Sequence, residues 1–304
     1  MKKYIWTLWS APLKNPIWDM MCYAVSIELV KKFSSNVMVY TDNHGNSLLK
    51  KYKIDVPTRV LNFDIKSHQF PKFSQAKMHT MSLQEQPFCH LDHDVFLFKE
   101  QKDYDNCDIV TQHIETGAMF YSCYYLGYNT MTSQNILLPP EFYRCASYDD
   151  YAGYNCGYID VKNLDVCKEW CKIGVNLSKE YSPIRRSDNC IPEQFCLYAL
   201  AKYRNYNVKT LFIDPVFNQQ ESEVAGYTHL MNAKQANYGY ITERLIERVK
   251  TLNPLFLESA SESERTALFK SIEYKERTLN RGRYNIFSII NSSSDVKIRN
   301  IFIK

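Results

Sequence analysis

The sequence predicts an α/β protein, a largely parallel sheet with helices on both faces. Short strand-like runs alternate with segments of helical spacing over the first hundred residues. Turn-forming residues close several of these runs. A third observation is the run "PFCHLDHDVFLFK" at residues 87–99, where two carboxylates interrupt an apolar strand. Sheets of this kind bind their ligands at the carboxyl ends of strands, and the interruption falls there.

The elements follow in order. "KYIWTLWS" is a first strand, ending in the small-residue loop around Ser10 and Ala11. "WDMMCYAVSIELVKKF" has helical spacing, with Met20, Ala24, Ile27 and Val30 on one face. "NVMVYTD" is a second strand, closed by the turn "DNHGN". A short helix "SLLKKY" and a third strand "TRVLNF" come next. A helix opened by Ser74 leads to the fourth strand at residue 87. "CDIVTQHI" reads as a strand, and the aromatic, Pro-containing stretch from Gly117 to Asp150 reads as loop. "YNCGYIDVKN" starts another strand, followed by the helix "LDVCKEWCKIG". "IPEQFCLYALAKYR" is a helix with Pro192 in its first turn, and "NVKTLFID" is a strand. Charged helical sequence runs from Thr242 to about residue 281, and the end of the chain reads as a hairpin or loose tail.

Composition excludes several classes. A net charge of +4 permits an anionic ligand such as a nucleotide but does not support wrapping of nucleic acid. The ten cysteines contain no Cys-x-x-Cys, which argues against a zinc ribbon or thioredoxin motif. Cys167 and Cys171, one helical turn apart, read as buried free thiols. The 23 tyrosines suit sugar or base stacking, and equally a compositional bias. The apolar run at the N-terminus is broken by Pro12 and Lys14, too short for a signal peptide, and no window suits a transmembrane helix. The expected setting is cytoplasmic.

Asp92 and Asp94 can chelate one divalent cation if both point into the crevice where the strand breaks. Hard oxygens favour Mg²⁺ or Mn²⁺, shared with substrate phosphates. The bland alternative is a solvated turn, but apolar "FCHL" and "VFLF" flank the pair, and an unpaired buried carboxylate is costly. Downstream, "GYTHLMNAKQ" offers His229 as a third ligand and Lys234 as a diphosphate partner. An imidazole suits Mn²⁺ better than Mg²⁺. Asn155 and Gly157 start a strand, where Gly permits close backbone approach. Glu193 and Gln194 sit in the first turn of a helix, where a carboxylate can take a hydroxyl proton.

The order of "VMVYTD", a helix with an embedded Lys, "PFCHLDHDVFLF", "YNCGYI", "PEQ" and "THLMNAK" resembles the nucleotide-sugar-dependent glycosyltransferases of the GT-A fold. It is distantly similar to their glycogenin-like group, over roughly residues 1–240. The resemblance implies a Rossmann-like mixed sheet and an Asp-x-Asp pair holding the metal on the donor diphosphate. It places Asp94 on the cation, Asp92 on the cation or the ribose, His229 in the metal shell and Lys234 on phosphate. The group usually spaces that His and Lys one residue further apart, with a Gly between them; here Asn232 stands there instead. Lys77 is the candidate basic residue for the nucleotide sugar, with Lys72 second; a solvated helix face explains either. The loop of Thr7, Trp9 and Ser10 is the expected nucleoside wall. Asp42 is a candidate for base or ribose, or simply a turn residue.

The expected enzyme is thus a metal-dependent glycosyltransferase using a nucleoside-diphosphate sugar, with a glycan, lipid-linked or protein acceptor. Glu193 is the candidate base of an inverting reaction. In a retaining one, Gln194 or Asn155 lines the sugar face. The rivals are a phosphohydrolase of the haloacid dehalogenase type and a non-catalytic nucleotide-sugar- or glycan-binding protein. The expected division is a catalytic domain over residues 1–241 and a helical extension with tail over 242–304. That extension would shape the acceptor side or a homo-oligomer contact. Lys297, Arg299 and Lys304 offer only a weak attraction to an anionic membrane, so peripheral attachment ranks below a solvated end.

Overall fold

A computed structural model describes residues 1–13, 16–63, 65, 72–213, 224–230 and 238–268. Its centre is a seven-stranded sheet in the order β10-β6-β9-β4-β1-β2-β3. These strands are β1 (Tyr4–Leu8), β2 (Val37–Thr41), β3 (Thr58–Val60), β4 (Phe88–Leu91), β6 (Ile109–Thr111), β9 (Tyr158–Val161) and β10 (Val208–Thr210). β1 runs parallel to β2 and β4, β2 to β3, and β6 to β10. Only β9 is reversed, antiparallel to both β4 and β6. The sheet is therefore mixed and mostly parallel. Two small antiparallel pairs flank it: β5 (Val95–Leu97) with β11 (Tyr227–His229), and β7 (Ile114–Glu115) with β8 (Gly153–Tyr154).

Alternation along the strands divides the core in two. Tyr4, Trp6 and Leu8 of β1 and Cys89 and Leu91 of β4 face one cluster, while Ile5 and Phe88 face the other. The first cluster holds α1 (Pro16–Lys31), α2 (Asn43–Lys51), α8 (Tyr238–Leu252) and α9 (Leu255–Ser259). The second holds α3 (Phe73–Ser82), α4 (Ala118–Ser133), α5 (Pro140–Ser147), α6 (Leu164–Glu180) and α7 (Cys196–Arg204). Helices thus cover both faces, as expected. None of the ten cysteines is in a disulfide, and the Cys167 and Cys171 Sγ atoms lie 3.9 Å apart in the second core.

Several local expectations are corrected. The stretch from Gly117 to Asp150 contains two helices, α4 and α5. Gly117 enters α4 at φ 93, and Pro139 and Pro140 start α5. No charged residue marks an outer face on α4. Its tyrosines stack on each other, Tyr121 on Tyr125 at 5.8 Å, so the usual periodicity is hidden. "DNHGN" is not a turn but the start of α2. Asp42 is its N-cap, accepting from Gly45 N at 2.6 Å. α3 begins at Phe73 rather than Ser74. Residues 191–195 form a π-helical turn around Pro192 before α7. α1 has no single buried face, because α8 covers the side away from the sheet.

α8 spans the expected 241/242 boundary. Its Ile241, Leu245, Ile246 and Val249 lie in the same core as α1, and Trp18 Nε1 donates to Thr242 Oγ1 at 3.1 Å. Lys234, Lys297, Arg299 and Lys304 lie outside the described residues.

Candidate functional site

The site lies where β1, β2 and β4 end and the reversed β9 begins. Leu91 is the last residue of β4. The chain then turns, with Val95 N donating to Asp92 O at 3.0 Å, and continues into β5. That turn carries the Asp-x-Asp pair. β11 pairs with β5 so that His229 stands opposite Val95, and Leu230 N donates to Asp94 O at 3.0 Å. A histidine 135 residues downstream is thereby returned to the carboxylates. One ligand atom each from Asp92, Asp94 and His229 all lie within 4.8 Å of one another. His229 Nε2 is 3.4 Å from Asp94 Oδ1. The side chains of Asp94 and His229 are buried, while that of Asp92 is 35% exposed and opens the cluster to solvent.

The donor set suits Mn²⁺ or Mg²⁺. Two carboxylates and an imidazole converge, and oxygen with one nitrogen fits a hard-to-intermediate cation. His229 Nδ1 hydrogen-bonds Gln112 Oε1 at 2.7 Å, which directs Nε2 to the carboxylates. Gly157 makes room for the ring. A Cβ there would lie 2.4 Å from His229 Cε1. The close approach expected at Gly157 is therefore made by the imidazole. The Gly157 carbonyl also accepts from Asp92 N at 2.9 Å, tying β9 to the motif.

Lys77, on α3, is buried beneath the cluster. Its ammonium sits 2.8 Å from Asp92 Oδ1 and 2.9 Å from Glu193 Oε1, and donates to the Cys156 carbonyl. Burial pulls its pKa down, but Asp92 and Glu193 outweigh burial and hold it above the ordinary lysine range. Burial pushes the Glu193 carboxyl up, and Asp92 adds to the rise, against the opposing pull of Lys77. Lys72 donates to the Ser178 carbonyl.

The remaining candidates are held by hydrogen bonds and ring contacts of their own. Thr7 Oγ1 lies 3.0 Å from His90 Nε2, and burial together with Lys77 lowers the pKa of that imidazole. Trp9 packs edge-on against Phe73, with ring centroids 6.3 Å apart. Ser10 donates to Asp42 through both its backbone N and its hydroxyl, at 2.9 and 2.8 Å. Asp42 therefore holds the β1 loop to the start of α2. Asn155 Nδ2 donates to Glu115 Oε1 at 2.7 Å, and its Oδ1 accepts from Gly157 N at 3.0 Å. Tyr124 OH donates its one proton to Glu115, whose pKa burial raises, and the side-chain amide of Gln194 lies 2.8 Å from the same hydroxyl.

Gln112, Glu115, Tyr124 and Tyr227 have no place in the sequence-based site. A signal existed for two of them. The polar run "TQH" interrupts the buried strand "CDIVTQHI". Tyr227 lies two residues before His229, hence on the same face of a strand.

A family model described as a family of unknown function (DUF6734) matches residues 7–254. None of the curated proteins matches. Among solved structures, the chain is similar to the apo form of the glycosyltransferase GlyE of Streptococcus pneumoniae TIGR4. The identity is 11% and the TM-score 0.37, covering 68% of this chain and 45% of that one. It is similar to the galactosyltransferase LgtC in complex with donor and acceptor sugar analogs, at 10% identity and TM-score 0.37, covering 68% and 72%. It is similar to 4-diphosphocytidyl-2C-methyl-D-erythritol synthase from Anaerococcus prevotii DSM 20548, at 8% identity and TM-score 0.34, covering 74% and 96%. The chain spans less than half the length of the pneumococcal structure.

Proposed function

The chain belongs to this family of unknown function (DUF6734), and we propose that it is a metal-dependent glycosyltransferase of the GT-A kind. It would move a sugar from a nucleoside-diphosphate sugar to an acceptor hydroxyl. The observation that carries the reading is the convergence of Asp92, Asp94 and His229 at the carboxyl end of β4. Two carboxylates on one turn and an imidazole from far along the chain meet at the strand ends, where sheets of this kind bind their ligands.

Asp92, Asp94 and His229 would hold Mn²⁺ or Mg²⁺. When bound, the cation supplies charge neutralisation to the leaving diphosphate. The loop of Thr7, Trp9 and Ser10, fixed by Asp42, walls the nucleoside side. Lys77 holds Asp92 and Glu193 in place from below. Glu193, with its raised pKa, takes the acceptor proton in an inverting reaction. In a retaining reaction, Gln194 and Asn155 line the sugar face. Lys234 completes the diphosphate contacts by its place in the sequence. The acceptor is a glycan, lipid-linked or protein hydroxyl. Among the described residues no helix is long and apolar enough to cross a membrane.

The test is a panel of nucleotide sugars incubated with Mn²⁺, scored for nucleoside-diphosphate release and for the anomer of the product. Wild-type protein should turn over one donor, lose activity in EDTA and regain it with Mn²⁺. Asp94→Asn should lose turnover and keep its melting temperature. Full activity in EDTA refutes the metal assignment. Donor binding without turnover identifies a binding protein that has kept the fold.

A further inference from the structure

We infer that Gln112 is a positioning residue that locks His229 in the tautomer whose Nε2 lone pair faces Asp94, an inference resting on the metal reading above. Gln112 directly follows β6 and is fully buried. Its backbone is held on both sides, since its N donates to Asn155 O at 3.2 Å and its O accepts from Phe212 N at 3.0 Å. Two groups converge on its side-chain oxygen. Tyr227 OH donates to Oε1 at 2.7 Å, and His229 Nδ1 lies 2.7 Å from the same atom. Tyr227 and His229 are two apart on β11 and so project to one face.

The direction of the amide follows from counting partners. As placed, Oε1 faces both Tyr227 OH and His229 Nδ1, and of the two amide atoms it is Nε2 that lacks a partner among the described residues. Turned over, the amide would bury Oε1 without a donor and leave the Tyr227 proton without its acceptor. An amide oxygen can only accept, so His229 donates from Nδ1, and in the neutral imidazole the lone pair is then on Nε2.

That lone pair stands 3.4 Å from Asp94 Oδ1. Two acceptors so placed repel each other unless a cation lies between them. The other tautomer would donate Nε2–H to Asp94, and that hydrogen bond would occupy both ligands at once. Gln112 thus disfavours a hydrogen bond between these two ligands. Gly157 helps by leaving the ring only the space it occupies, since a Cβ would come within 2.6 Å of Nδ1.

The experiment compares wild type, Gln112→Glu, Gln112→Leu and Gln112→Asn. Glu keeps an acceptor at the same reach, Leu removes it, and Asn keeps the amide but withdraws it from Nδ1. Heteronuclear NMR of isotope-labelled histidine in metal-free protein reads the His229 tautomer. Paramagnetic resonance of free Mn²⁺ reads affinity, and urea unfolding reports the fold. Wild type and Gln112→Glu should carry the proton on Nδ1. Gln112→Leu and Gln112→Asn should move it to Nε2 and bind Mn²⁺ about 10- to 100-fold more weakly. The Asn variant serves the comparison if the Leu variant does not fold. A wild-type proton on Nε2 overturns the inference, as do folded Leu or Asn variants with wild-type tautomer and affinity. A wild type with the Nδ1 proton that binds no Mn²⁺ refutes the metal reading and supports the lock.

Discussion

Glu193→Gln should remove a pH dependence of stability that resides in one carboxyl. Glu193 is only 6% exposed. Burial, then Asp92, lifts its pKa from the ordinary 4.5 to about 7, against the downward pull of Lys77. The folded chain therefore binds more protons than the unfolded chain between those values, and stability falls as pH rises through the window. At about 1.4 kcal/mol per unit the full loss is about 3 kcal/mol, most of it between roughly pH 5 and pH 8. Lys77 adds no slope there. Its raised pKa contributes stability that is fully present below the unfolded value and is lost only at strongly alkaline pH. Urea unfolding of wild type and variant, both in chelator, isolates the carboxyl because other titrating groups cancel in the difference. From about pH 5 to about pH 8 that difference should move by about 2 kcal/mol in favour of the Gln variant. A difference that stays constant over this range would mean that Glu193 titrates at its ordinary value, and the reasoning would fail.

Gly157→Ala should push the His229 ring aside, because the new Cβ would sit 2.4 Å from Cε1. Equilibrium dialysis should show Mn²⁺ affinity at least about tenfold lower, with a stability loss nearer about 1 kcal/mol; unchanged affinity would contradict the placement of the ring. Truncation after residue 241 removes Leu245, Ile246, Val249 and Phe256 from the core they share with α1. At about 1.5–3 kcal/mol for each buried side chain, that is comparable to the whole stability of a typical domain. Thermal melting of the shortened chain should show no cooperative transition, and a cooperative melt at wild-type ellipticity would restore the boundary as a true division.

The strands and the pair of aspartates at the end of β4 were legible because each leaves a local mark. β1, β2 and β4 are short apolar runs, and Asp92 and Asp94 break one of them. His229 could be named as a ligand through the family resemblance, but the register that delivers it is a property of the β5–β11 pairing. α4 escaped because stacked tyrosines replace the charged face that usually betrays a surface helix. Asp42 looked like a turn residue because an N-cap and a turn favour the same residue types. Gln112 was invisible for another reason. A lone glutamine acquires a role only when Tyr227 and His229 arrive at its side-chain oxygen.

The reversal of β9 between β4 and β6 bears on the order in which the chain assembles during synthesis. β4 cannot complete its central pairing until residues 158–161 have been made, and His229 comes later still. Long loops must close before those contacts form, which delays them. Lys77, only fifteen residues before Asp92, is available as soon as β4 emerges. The cation that faces Asp92 is therefore synthesised before β9 and His229, its neighbours from later in the chain.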